Sequence, residues 1–236
     1  MAELAARIGR LKDSEALLRR ALELAPSFGV ARANLATVLY KQNRFPEALE
    51  QLDAVLAEEG NNPAQQNLKA AALGRIGGYE EAIGLYKDLI ERFPDHAKLW
   101  MSYGHMLKTV GEQDSSVAAY RRALDVEPTL GEVWWSLANL KTVRFSDEDM
   151  TAMQTALATI GLTDEDKFHL HFALGKASED RALHEDAFAH YAAGNALRSA
   201  ELQHDPDNVK AQVDHMIRTI TPDFLAAREG AGDSAA

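Results

Sequence analysis

A helix–turn–helix pattern recurs along this chain every 34 residues, and that period constrains the fold more than any other feature. Its fullest copy runs from Ala97 to Pro128 and is marked by Trp100, Tyr103, Gly104, Leu107, Gly111, Tyr120, Ala123 and Pro128. One period earlier, Ala70, Leu73, Gly77, Tyr86, Leu89 and Pro94 fall on matching positions. A further step back gives Leu35, Ala36, Leu39, Leu52 and Val55, and a step forward gives Trp134, Leu137 and Ala138. The units start at Gly29, Pro63, Ala97 and Gly131. A fixed period of this length signals a stack of identical helical units whose core is spread along an axis.

These marks resemble the tetratricopeptide repeat (TPR). The resemblance implies an all-α solenoid: a right-handed superhelix of antiparallel helix pairs, with about thirteen helices. The small residues have a mechanical role in such pairs. Ala48 and Ala82 lie where two helices cross, and added methylenes there would cost about 1–3 kcal/mol. Leu52, Tyr86 and Tyr120 fill the space beyond the crossing. The expected organisation is a partial first unit or cap over 1–28, three regular units over 29–128 and a degenerate unit over 129–162. A repeat-like helix pair over 163–203, a capping helix over 204–228 and a flexible tail over 229–236 complete it. The first unit is incomplete, so the chain is expected to start inside a repeat, either as a cap or through truncation.

Local signals place the element ends. Gln42-Asn43-Arg44, Gly77-Gly78 and Gly111 read as the turns of three units, and Pro46 suits a first helical turn. In the degenerate unit, 131–143 fits a first helix, whereas 146–160 lacks the small and aromatic residues of a second. Ser146 and Thr163 each precede an acidic run and read as N-caps with dipole-favoured acids rather than as metal sites. Leu174, Gly175, Ala187, Tyr191 and Gly194 recover the repeat in a unit starting at Phe168, 37 residues beyond Gly131, so three residues are inserted. Asp205-Pro206 opens a further helix to about Ile220, and Thr221-Pro222 a last short turn.

Composition narrows function by exclusion. The formal net charge is −11 with a pI near 5.2, which disfavours nucleic acid or an anionic membrane as partner. There is no cysteine, no apolar run long enough to span a bilayer, and no signal-peptide core in the helical N-terminus; a cytoplasmic location is expected. No phosphate loop, GxSxG elbow, HExxH or CxxC motif is present. His169 and His171, two apart on a helix, face different ways and make a poor metal pair. Neither catalysis nor a bound cofactor or metal is expected of this chain.

The expected use of the array is a groove. First helices line the concave side, and their outward positions are Asn34, Thr37, Lys41, Asn67, Arg75, Met101, His105, Lys108, Trp135, Asn139, Phe172 and Lys176. The strip is mixed, aromatic and slightly basic in an acidic chain, which suits an extended, acidic protein or peptide segment; a merely solvated inner face is the alternative. The Lys and Asn set with which the best-known TPR grooves hold a C-terminal carboxylate is not reproduced: Ala33 stands where a lysine is wanted.

A narrower resemblance covers residues 130–225. Trp134-Trp135-Ser136-Leu137-Ala138-Asn139-Leu140-Lys141-Thr142 with Arg144-Phe145, then Leu170-His171-Phe172-Ala173-Leu174-Gly175-Lys176-Ala177 with Glu179-Asp180, then Tyr191 and Gly194-Asn195, are similar to the TPR region of bacterial TPR–sulfotransferase proteins. In that family a sulfotransferase domain follows, and a Pro-Arg-Ser-Gly-type loop in it holds the sulfate donor PAPS. This sequence has no such loop, so no catalytic residue carries over. The resemblance implies an N-terminal module that presents acceptor protein to that domain, or docks on it; the alternative is a stand-alone TPR adaptor.

Overall fold

A computed structural model describes residue 2 and residues 9–60, 62–201 and 205–228. The expected N-terminal helical turn and the tail over 229–236 lie outside the described residues. Every regular element among those described is helical: α1 (Leu11–Leu24), α2 (Gly29–Lys41), α3 (Phe45–Glu59), α4 (Pro63–Arg75), α5 (Tyr79–Arg92), α6 (Ala97–Thr109), α7 (Gln113–Val126), α8 (Gly131–Ala138), α9 (Asp147–Leu157), α10 (Asp164–Asp180), α11 (His184–Glu201), α12 (Pro206–Thr219) and α13 (Pro222–Ala226).

The repeat is visible in single hydrogen bonds. Asn43, Gly77, Gly111 and Ala182 all have positive φ. The next N–H in each case donates back over five residues: Arg44 to Leu39, Gly78 to Leu73, Glu112 to Leu107 and Leu183 to Ser178. This is the left-handed helix stop that satisfies the last carbonyls and turns the chain into a second helix. A second recurrent tie closes three of the units onto the chain before them. The indole N–H groups of Trp100 and Trp134 donate to the carbonyls of Pro94 and Pro128 at 2.8 and 2.9 Å. Arg32, two periods before Trp100, donates to Pro26 in the same way.

Helix starts follow the local chemistry. Ser146 and Asp149 form a full capping box on α9. Thr163, Asp205 and Thr221 cap α10, α12 and α13 through side-chain oxygens, and Asn62 caps α4. Three hydrophobic clusters fill the stack, over α1–α3, α4–α6 and α6–α10. Ala48, Ala82, Leu52, Tyr86 and Tyr120 are all buried in the interior.

The degenerate unit departs from the rule. In regular units the first helix packs on its own second helix: α2 on α3, α4 on α5, α6 on α7. Here α8 packs most extensively on α10. Gly131 permits the approach, because a Cβ there would collide with the backbone of Asp166. Its N–H donates to the Asp166 carboxylate at 3.1 Å. The first helix expected over 131–143 ends at Ala138, with Asn139 at its C-terminal cap, and Lys141 reverses the chain at φ 63°. The following α9, despite its unpromising composition, buries Met153 and Ala156 in the largest cluster; an unbranched thioether fills irregular space that an aromatic ring would not. Arg121 of α7 fastens α9 through both oxygens of Asp149.

The segment expected as a C-terminal cap contains two helices. A cap buries its apolar side chains, but α12 and α13 bury none: Val209, Val213, Met216, Ile217 and Ile220 are exposed.

Candidate interaction groove

First helices touch one another along the stack, α2 with α4, α4 with α6 and α8 with α10; among the described residues no pair of successive second helices makes contact of that extent. In a curved stack the closer row is the inner one, so the first helices line the concave face.

At the N-terminal end of that face, Asn34 and Thr37 line a cleft of about 340 Å³ between α2 and α4, together with Val30, Gln65 and Leu68. Thr37 also donates to the Ala33 carbonyl of its own helix. A larger cleft, about 920 Å³, lies between α5 and α6 and includes none of the twelve expected groove residues. Its lining comes from the turn at Gly77-Gly78, from second-helix residues such as Glu81 and Lys87, and from Tyr103 and Leu107 of α6. Lys41, Arg75 and Lys108 are exposed in the last turns of α2, α4 and α6. The Arg75 guanidinium stands 5.4 Å above the Phe45 ring. Asn67 is half-buried, and its amide oxygen is shut off from solvent without a hydrogen-bond partner.

Further along, the polar groups connect. His105 Nδ1 lies 2.7 Å from the Tyr120 hydroxyl, and its Nε2 lies 3.6 Å from the Glu132 carboxylate. The facing His105 imidazole holds Glu132 below the usual carboxylate range, helped by the charge of Lys98. Burial pushes His169 below the ordinary histidine value. Beside this chain of groups, Trp135 and Phe172 meet at 5.6 Å between ring centroids, and half-buried Met101 packs against the same cluster as Trp135. These two aromatics are 37 residues apart. Lys176 is tied to Asp180, which also receives Arg144, and Asn139 is exposed just past the end of α8.

The structure therefore brings Trp135 against Phe172, sets His105 against Tyr120 and Glu132, spreads Lys41, Arg75 and Lys108 over three first helices, and leaves Lys176 occupied. Sequence reasoning missed Glu132, although its place on the inner side of a first helix marks it. It also missed the pair His171–His190, whose Nδ1 atoms are 3.0 Å apart across α10 and α11; no local spacing signals a contact between residues 19 apart.

A curved row of antiparallel helix pairs with a mixed aromatic and polar inner face defines a helical-repeat protein. The sequence matches the tetratricopeptide repeat family over residues 6–72 and again over 67–129, together just over half of its 236 residues, and the chain belongs to that family. Among solved structures, BtubC (BKLC) from P. vanneervenii superposes with a TM-score of 0.59 at 17% identity, over 86% of this chain and 94% of that one. MamA does so with 0.53 at 12% identity, over 86% and 98%. YrrB, described as a TPR protein with an unusual peptide-binding site, gives 0.52 at 15% identity, over 80% and 87%. At these identities the likeness is one of fold.

Among curated sequences, Protein FlbA of Caulobacter vibrioides is 28% identical over 188 residues, covering 72% of this chain and 30% of that protein. Cell division cycle protein 27 homolog A of Arabidopsis thaliana is 24% identical over 129 residues, 55% of this chain and 18% of that protein. An uncharacterized protein of Aquifex aeolicus is 22% identical over 152 residues, 64% and 20%. The chain spans less than a third of the length of each. Among the described residues no helix is long and apolar enough to cross a membrane.

Proposed function

We propose that the chain is a non-catalytic protein-interaction scaffold that holds a peptide or protein segment against its row of first helices. The observation that carries this reading is the contact between the half-buried rings of Trp135 and Phe172, on first helices of the same row that also carries the His105–Glu132 pair. Apolar area with a few convergent polar groups is what a recognition groove needs. The peptide-binding site of YrrB, a protein of the same fold, supports such a use.

Panning an unbiased displayed-peptide library on the purified chain tests the reading. Enriched peptides should lose affinity when Trp135 and Asn139 are replaced by alanine, with helicity unchanged by circular dichroism. A central tryptophan anchor is worth about 2 kcal/mol or more, so the loss should be roughly thirtyfold. Affinity that survives both substitutions removes these residues from the site.

The finer reading, an N-terminal module of a sulfotransferase whose own following domain is the partner, rests on the resemblance of residues 130–225. A reading frame that continues past Ala236 into a β-strand and a Pro-Arg-Ser-Gly-type loop supports it. A stop codon there leaves a stand-alone adaptor, for which a cytoplasmic location is proposed.

A further inference from the structure

Each second helix before α11 is covered by the first helix of the next unit: α2 packs on α1, α4 on α3, α6 on α5, α8 on α7 and α10 on α9. Among the described residues α12 makes no contact of that extent with α11. Four residues join α11 to α12, as many as join α5 to α6 and α7 to α8. The connector is therefore long enough for a fold-back that the single chain does not make. Both halves of the missing joint are nevertheless present. Tyr191 stands 71 residues after Tyr120, and on that offset Phe188 holds the place of Val117, which itself follows Leu49 and Ile83 at the period of 34. Those three side chains are half-buried, and Leu49 packs against the cluster of the unit that follows it. Phe188 is 75% exposed. On the same offset Ala192 stands where Asp53 and Arg121 stand in earlier second helices, and those two charges are paired with Lys69 and Asp149 of the following unit. The open face of α11 thus presents Phe188, Ala192 and Ala196, all exposed, where a terminal repeat normally turns a polar side to water.

The other half is α12. Laid on α4 from its opening proline, Pro206 on Pro63, it sets Val209, Val213 and Met216 at the positions of Gln66, Ala70 and Leu73, which are buried. In α12 the three are exposed, with Ile217 and Ile220 beside them. A helix of 14 residues that buries nothing is marginal in water without a surface to lie on.

We propose that two copies of the chain close these joints reciprocally, α12 of each lying on α11 of the other as the first helix of a further unit. The fit is large against small. The valine, methionine and isoleucine side chains of α12 meet Ala192 and Ala196, whose size lets the two helices reach ordinary packing distance, and Phe188 gains the cover that Val117 has. None of these residues is charged, which matters for two chains that each carry a net charge of −11. Under two-fold symmetry the same surface serves both copies and both joints close at once, and exchange of an identical element is a low-cost route to a dimer. The joint is independent of what the groove holds.

Light scattering on the full chain as it leaves a sizing column should give about twice the 25.9 kDa of one copy. Val213→Asp together with Ile217→Asp puts two charges into each joint and should raise the dimer dissociation constant about a hundredfold or more. Both positions are exposed in the single chain, so the stack itself should keep its thermal transition. Crosslinking identifies what covers α11. The chain has no cysteine, so Ala192→Cys and Gln212→Cys introduce its only thiols. Ala192 holds the register of Asp53 and Gln212 that of Lys69, a pair that meets across the joint of α3 and α4. Chains carrying one substitution or the other, refolded together and treated with a short bismaleimide, should give a covalent mixed dimer, and neither chain alone should. The inference is overturned if the chain is monomeric up to about 100 μM, if the double aspartate variant still dimerises, or if no mixed dimer forms. A monomer that carries both cysteine substitutions and links within itself assigns the cover to its own α12 and overturns the exchange as well.

Discussion

The ring of Tyr120 lies so close to Gly104 that a Cβ at that glycine would come within 2.6 Å of Cε1. Tyr191 stands over Gly175 in the same way, with 2.7 Å to Cε1. Both pairs are 16 residues apart, so α10 and α11 reproduce the crossing of α6 and α7 after the irregular unit. In α6–α7 the ring is fully buried and cannot yield. Gly104→Ala is therefore expected to destabilise by about 1–3 kcal/mol through overpacking, offset by about 1 kcal/mol of helix propensity. Gly175→Ala should cost less, because Tyr191 is only half-buried. Gly131→Ala should cost more than either, since the obstacle is the Asp166 backbone. Urea midpoints of the three variants test the ranking.

Ala182 adopts φ 59° at the turn position that glycine holds at 77 and 111. A left-handed conformation costs an L-residue with a Cβ roughly 1–2 kcal/mol. Ala182→Gly should therefore stabilise the chain by about 1 kcal/mol, and Gly111→Ala should destabilise it by a similar amount. Opposite shifts in thermal midpoint check both signs.

Burial holds His171 and His190 below the ordinary histidine value, with each ring facing the other; burial does the same for His169. The facing Asp186 opposes the shift at His190, and Glu132, Glu165 and Asp166 oppose it at His169. Each folded pKa is lowered, so the unfolded chain binds more protons once the pH drops below the usual histidine value of about 6.5. The stability these groups contribute is present above that value and lost as the pH falls below it. A denaturant midpoint lower at pH 5.5 than at pH 7.5 is expected, and His171→Gln should flatten the difference. The lowered carboxylates Glu15 and Asp180 act in a separate, more acidic window.

Trp135 and Phe172 join two helices, α8 and α10, that pack directly on each other. A double-mutant cycle with leucine at both positions should return a coupling of about 0.5–1.5 kcal/mol in unfolding free energy. A value near zero would mean that the two rings are held by their own helices alone.

The regular half of the fold was legible because its determinants are local and periodic: Gly77 and Gly111 announce their turns, and Ala48, Ala82, Tyr86 and Tyr120 announce a crossing. Ser146 and Thr163 announced helix starts for the same reason, since a cap reads only the next three residues. The degenerate unit was not legible. The end of α8 at Ala138 goes with Lys141 entering the left-handed region, which lysine does not advertise, and Met153 becomes core through packing between helices distant in sequence. The period alone gave the expectation of an inner face for the twelve groove residues. Which of them meet could not, because the His105–Glu132 and Trp135–Phe172 contacts depend on distances between units.

The direct seating of α8 on α10 has a mechanical consequence. Where first helices are linked mainly through an intervening second helix, the stack can flex as a spring does, by small rotations at each joint. Gly131 against the Asp166 backbone, with Trp135 against Phe172, locks one joint. Under tension applied at the two ends, the coils over α2–α7 are expected to extend before the segment from α8 to α10 does.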